Sequence, residues 1–245
     1  MRYKLLALDI DGTIVKPHNN TPSPETIKAI QKAKQKVYIS LVSARAWKDH
    51  KSLVHLLGLQ NNYHVLENGT KVISPSGDIE YDLRIPAREV KDIVKVSKGL
   101  YDDAGFCIQG MWTKEYAKDS VSTISFISHS RKSAEKIPQA LNRLSNKYVF
   151  SVGAHWSEPG WAVTLISHKD ASKGTGLAYI QNKLKINPSE TIAVGDGASD
   201  VSAMRYAGVK AAMGNAEPEL LKTTNYIAPS VDKDGLVNII NKFIL

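Results

Sequence analysis

Cysteine is nearly absent from the 245-residue chain. Cys107 stands alone, which excludes an internal disulfide and most cysteine-based metal sites and gives no sign of an oxidising compartment. A lone thiol of this kind reads as a small buried hydrophobe. No apolar run approaches the roughly 18 to 20 residues that a membrane span needs. The N-terminus, MRYKLLALDIDG, meets two acids where a secretory signal would carry its cleavage region. A soluble, cytoplasmic protein without a membrane partner is therefore expected. Aromatic residues make up only 7% and do not interleave with lysines, and there is no run of about five or six like charges. The net charge of +8 thus reads as a lysine-rich surface, with no nucleic acid partner expected, although it mildly favours anionic small substrates. Seven scattered histidines lack the spacing of a zinc site. Internal repeats, low-complexity tracts and disordered tails are also missing.

What is present is a chain with 42% hydrophobic residues, enough for a sizeable core and one to two domains. KLLALDI (4–10) is a short apolar run ending at carboxylates, which suits a parallel strand buried on both faces. Ser23 reads as an N-cap with Pro24 at the first helical position, and VYISLV (37–42) is a second buried strand. A second helix then carries Trp47, Leu53, Val54, Leu56 and Leu57 and closes at Gly58. Asn68-Gly69 and Ser76-Gly77 mark antiparallel hairpins. From Pro86 the order is helix, two strands (FCIQGMW and VSTISFIS), helix, two strands (YVFSV and WAVTLIS), an α+β unit inserted in the chain. After Lys173 the βα rhythm resumes. The expected fold is α/β, a Rossmann-like parallel-sheet core in two parts, 1–82 and 169–245, interrupted by an α+β insert over 83–168.

In open α/β sheets ligands bind beyond the carboxyl ends of the strands. Four places stand out: Asp9 and Asp11 after the first strand, Ser43 after the second, Asp196 and Asp200 in GDGASD, and Lys173 in DASKGTG. Strand alternation sends Asp9 and Asp11 to one side, where they repel unless a cation or shared proton intervenes. With Asp196 and Asp200 they form an all-oxygen pocket suited to a hard divalent ion such as Mg2+. Lys173, the Ser43 hydroxyl and the backbone N–H groups around Gly12 form a donor set for an anion. Together these groups describe phosphoryl transfer. Ser43 could instead cap the following helix, Asp200 could orient the shell without ligating, and Asn215 in AMGNA reads as turn chemistry.

DIDGTI, LVSAR, SKGTG and GDGASDVSAM, in this order, resemble the four motifs of the haloacid dehalogenase-like (HAD) phosphatases. ENGT (67–70), AMGNA (212–216) and the insert between the second and third motifs are similar to the Cof-like, type IIB-capped branch. The resemblance implies that Asp9 attacks phosphorus to form an aspartyl-phosphate while Asp11 protonates the leaving alcohol and then activates water. It implies Mg2+ on Asp9, the Asp11 main-chain carbonyl and Asp196, with Asp200 completing or orienting that shell. Ser43 and the N–H of Ala44 would donate to the phosphoryl group, and Lys173 would offset charge. Two positions depart from the family pattern: Ser43-Ala44-Arg45 stands for Thr-Gly-Arg, and Ser199, with a shorter side chain, stands for an asparagine that contacts phosphate.

The implied activity is a Mg2+-dependent phosphomonoesterase. The short insert makes the chain similar to the compact phosphoglycolate phosphatases and small sugar-phosphate phosphatases of that branch, acting as a monomer or homodimer on a small phosphorylated substrate. A phosphomannomutase-like phosphotransferase and a non-catalytic binding module are the competing readings. In the insert, His155, Trp156, Glu158 and Trp161 flank a Pro-Gly turn, a loop of the kind that either selects substrate or packs the cap.

Overall fold

Leu5, Leu6, Ala7 and Leu8 form strand β1 (Leu5–Leu8), and all four are buried because the strand lies at the interior of a parallel sheet. The structure, a computed structural model, describes every residue but Met1, His18, Gln109, Ala117, Lys118, Ser145 and Trp156, and only the backbone of Leu144. After β1 come α1 (Pro24–Ala33), β2 (Tyr38–Leu41) and α2 (Trp47–Leu57). Ser23 caps α1, its hydroxyl accepting from Thr26 N, and Gly58 closes α2 in the left-handed conformation at φ 64°.

A small antiparallel sheet of β3 (His64–Leu66), β4 (Lys71–Ile73) and β5 (Ile79–Asp82) follows. The α+β unit comprises α3 (Ala87–Val96), β6 (Asp103–Ile108), β7 (Met111–Thr113), β8 (Thr123–Ser128), α4 (Arg131–Leu144), β9 (Tyr148–Ala154) and β10 (Ala162–His168). The chain ends with α5 (Lys173–Leu184), β11 (Thr191–Gly195), α6 (Val201–Met204), β12 (Val209–Ala212), α7 (Pro218–Leu221), β13 (Tyr226–Ile227) and α8 (Gly235–Phe243).

The core sheet has the order β13-β12-β11-β1-β2, all parallel. Side-chain alternation along β1 splits the interior in two. Leu6, Leu8 and Ile10 face α1, α2 and α8, whereas Leu5 and Ala7 face α5 and α6. Each fully buried Leu or Ile contributes about 1.5–3 kcal/mol of transfer free energy, so this doubly covered sheet anchors the strand ends that carry polar groups.

The cap sheet runs β7-β6-β8-β10-β9 and is antiparallel. One face, with Phe106, Ile124, Phe126 and Ile166, packs with Ile93 of α3 and Ile137 and Leu141 of α4 into a third apolar cluster. Among the described residues no helix packs on the other face, which lines a cavity together with core residues. The sequence pattern suggested four cap strands, and the structure has five. The segment read as one strand, FCIQGMW, is a hairpin of β6 and β7, because Gly110 turns the chain at φ 81°. Among the described residues no helix is long and apolar enough to cross a membrane.

Candidate active site

The polar groups converge where β1, β2 and β11 end. Asp9 follows β1 and is buried, and its Oδ1 accepts from Lys173 Nζ at 2.7 Å. Lys173 opens α5, where Ser172 and Thr175 form a reciprocal capping box that fixes the first turn. The same ammonium donates to Asp200 Oδ1 at 2.6 Å. Asp200 Oδ2 accepts from Asp196 N at 3.1 Å and Gly197 N at 3.0 Å, so this carboxylate holds the loop after β11 in place. Asp9, Asp196 and Asp200 each offer a carboxylate oxygen within 4.8 Å of the others.

Burial, reinforced by Asp200, pushes Asp9 up to about 7 despite the opposing pull of Lys173. Burial, with Asp9 and Asp200 beside it, pushes Asp196 up to about 9. Burial alone would lower Lys173, but Asp200 and Asp9 overcome it and hold the ammonium above the ordinary lysine range. Three crowded acids with one cation thus form a hard, all-oxygen donor set that fits a divalent ion such as Mg2+, which would reverse the upward shifts.

Asp11 stands apart. Its carboxylate is half-exposed and takes a two-pronged bond from Arg45, Nη2 to Oδ1 at 2.6 Å and Nε to Oδ2 at 2.9 Å. Ser43 is buried, and its hydroxyl accepts from Arg45 N at 3.0 Å. Helix α2 begins four residues later with Ala46 as its cap, so Ser43 serves the loop and not the helix end. Ala44 and Ser199 line the cavity described below.

Gly12 differs from the sequence reading. Its N–H donates to Val15 O at 2.8 Å and is engaged in the chain's own turn. At φ 74° a Cβ there would collide with the Asp196 carboxyl group, so the glycine lets that acid approach the backbone.

Three contributors carried too little sequence signal. Arg45 was legible only as part of a motif, without its bond to Asp11. Asn215, read as turn chemistry, donates through Nδ2 to Gly12 O at 3.0 Å and Asp196 Oδ2 at 3.1 Å, while its Oδ1 accepts from Val231 N. Glu217, which no pattern marked, donates its N–H to Asp196 O at 2.8 Å and places its side chain at the cavity. The ENGT turn braces the same loops: Glu67 N donates to Arg45 O and Asn68 N to Ser43 O, both at 3.1 Å.

Core and cap enclose a cavity of about 780 Å³. Its cap wall is the helix-free sheet face, two cross-strand rows in register: Gly105–Ser125–Leu165–Ser151 and Asp103–Ile127–Val163–Gly153. Trp112 of β7 extends that wall. Of the cap loop proposed from sequence, Trp156 lies outside the described residues. His155 accepts from Ser157 N and Glu158 N through Nδ1, which ties the turn to itself, and Trp161 N donates to Glu158 O. Neither His155, Glu158 nor Trp161 lines the cavity.

The family model for haloacid dehalogenase-like hydrolases matches residues 6–112 and 101–240. The chain belongs to this family. Among relatives of this HAD-like hydrolase, a phosphoglycolate phosphatase from Metallosphaera sedula is 26% identical over 243 residues, covering 98% of this chain and 99% of that protein. Phosphoglycolate phosphatase 1 from Saccharolobus solfataricus is 26% identical over 245 residues, covering 98% and 96%. Solved structures agree on the fold. A haloacid dehalogenase-like hydrolase from B. subtilis superposes with a TM-score of 0.81 at 19% identity, over 99% and 100% of the two chains. The HAD subclass IIB sugar phosphatase BT4131 superposes at 0.80 with 20% identity, over 98% of each chain. The HAD-like hydrolase is thus an α/β core with an inserted α+β cap of this kind.

Proposed function

We propose that the enzyme is a Mg2+-dependent phosphomonoesterase that hydrolyses a small phosphorylated metabolite through an aspartyl-phosphate on Asp9. The observation that carries this reading is Lys173, buried and shared between Asp9 and Asp200, beside Asp196 and at the floor of a cavity large enough for a metabolite. Full-length relatives named phosphoglycolate phosphatases support the phosphatase assignment.

In this reading Lys173 fixes Oδ1 of Asp9 and stabilises the charge that develops as an Asp9 oxygen attacks phosphorus and the ester P–O bond breaks. Asp11, at the exposed rim, gives its proton to the departing alkoxide. It then takes a proton from the water that displaces Asp9, which restores the carboxylate and releases inorganic phosphate. Asp11 must leave Arg45 to do so, and Arg45 is then placed to bind the phosphoryl oxygens. Ser43 and the Ala44 N–H line the loop for the same group. Mg2+, held by Asp9, the Asp11 main-chain carbonyl and Asp196, would neutralise phosphoryl charge when bound, and Asp200 would orient Asp196 through the backbone. We place this activity in the cytoplasm, in a monomer or homodimer acting on a soluble ester.

Hydrolysis of p-nitrophenyl phosphate with Mg2+, lost on chelation and in Asp9→Asn, is the expected result. Equal turnover by wild type and variant would overturn the mechanism. Phosphate release that requires a bisphosphate activator would favour a phosphotransferase instead.

A further inference from the structure

We infer, on the phosphatase reading above, that the cavity selects esters whose leaving group carries no negative charge, with Trp112 and Glu217 as specificity-determining residues. The protein as a whole is basic, yet the cavity is lined by seven carboxylates and three cations. All three cations are committed among the described residues: Lys173 to Asp9 and Asp200, Arg45 to Asp11, and Lys114 to Asp103. The metal and the phosphoryl group account for the acids at the strand ends. Beyond them the space for the leaving group is edged by Asp49 and Glu217 on the core wall and by the Asp103–Lys114 pair on the cap wall.

Glu217 enters this space because residue 153, opposite it on the cap, is glycine: a Cβ there would stand 2.8 Å from Glu217 Oε1. Oε1 accepts from Ala198 N at 3.4 Å. Oε2 is buried without a hydrogen bond, and Arg131 Nη1 lies 4.0 Å away. A carboxylate on this wall opposes a second carboxylate and tolerates a hydroxyl or an ammonium group.

Trp112 sets the shape. It sits diagonally across the hairpin from Gly105, and a Cβ on Gly105 would lie only 3.3 Å from the indole Cε3, so the ring rests against bare backbone. It is 43% exposed and faces the cavity beside Ile127, Val163 and Leu165. An apolar ring face next to an acceptor-rich rim matches a polyol or other hydroxyl-bearing carbon skeleton, and it opposes a second anion.

A pair of near-isosteric esters tests this on the intact enzyme with Mg2+: 2-hydroxyethyl phosphate and 2-phosphoglycolate differ only in CH2OH against a carboxylate. With p-nitrophenyl phosphate turnover established first, kcat/KM is expected to be at least about tenfold higher for the hydroxyl ester. Equal or faster hydrolysis of 2-phosphoglycolate would overturn the inference and leave the phosphatase reading standing. No turnover of any ester would instead sink that reading, and this inference with it. Glu217→Gln should narrow the hydroxyl-to-carboxylate ratio. Trp112→Ala should lower kcat/KM for a six-carbon polyol phosphate about tenfold more than for acetyl phosphate, whose leaving group is too short to reach the ring. Equal losses on both substrates would mark Trp112 as structural only, and an unchanged ratio in Glu217→Gln would remove that residue from selection.

Discussion

The core wall of the cavity holds buried charges tied into a network, whereas the cap wall is a sheet face of Gly, Ser, Val, Ile and Leu with one exposed ion pair. Core groups sit at the ends of parallel strands whose flanks are packed on both sides, so their carboxylates stay within 4.8 Å of one another despite repulsion. Cap groups project from the face of an antiparallel sheet opposite its apolar cluster, so they meet the cavity and not the cap's own core. Rigid, desolvated charge belongs to a reaction common to many substrates. A smooth, replaceable surface belongs to the part of the substrate that varies.

The sharpest way to break this contrast is Asp9→Asn. It removes the group assigned to bond making and should cost on the order of 10³-fold or more in turnover. Its thermal midpoint should not fall, because an acid crowded by Asp196 and Asp200 is replaced by a neutral amide. Retained turnover would dissolve the division of labour between the walls.

Lys173→Met comes next. It strands Asp9 and Asp200 in the interior, and removal of one partner from a buried pair costs about 3–5 kcal/mol. Urea unfolding should show that loss, with Mg2+ restoring part of it. A stability equal to wild type would mean that the network does not need its ammonium.

Acid should weaken the core. His50 and His64 are both buried in the core, with ring centroids 5.5 Å apart, and burial lowers His50 well below its ordinary value and His64 to about 4. Below the unfolded value of 6.5 the unfolded chain binds protons that the folded core refuses, so stability is full above pH 6.5 and is lost as pH falls toward 4. From His64 alone the loss by pH 5 is about 2 kcal/mol. Unfolding free energies measured at pH 7 and pH 5 for wild type and His64→Gln should show the slope reduced in the variant; identical slopes would refute this assignment.

Asn215→Ala removes two bonds that place the Gly12 carbonyl and Asp196. A loss of about tenfold in apparent Mg2+ affinity, read from the metal dependence of turnover, is expected. Lys114→Met, at the exposed pair with Asp103, should alter stability by no more than about 1 kcal/mol. A larger change would show that the cap wall, too, depends on fixed charge.

Much of the core was legible because its signals are local. LLAL ending at Asp9 announces a buried strand that delivers acids, and Ser23-Pro24 announces a capped helix. Lys173 stands at a helix start three residues after Asp170, but only the apposition of α5 with β1 and β11 reveals that one ammonium serves two carboxylates. Gly12 shows the limit of residue type as a guide. It was read as a donor to an anion, yet its N–H is spent on Val15 and its missing Cβ makes room for Asp196, 184 positions away. Glu217 had no pattern at all, since its role depends on Gly153 from another domain lying opposite. The β6–β7 hairpin was read as a single strand because both halves are β-prone and the turn between them is short.

The sequence by itself determined the alternation of buried strands and helices and the arrival of Asp9, Asp11, Lys173 and Asp196 at strand and helix ends, because periodicity and strand-end position are properties of short stretches. Tertiary structure decided which carboxylate shares which cation, that Arg45 holds Asp11, and that a basic protein encloses an acidic cavity. Those outcomes depend on distances of 2.6 to 4.0 Å between residues remote in the chain, and net charge, which sums over the whole surface, carries no information about them.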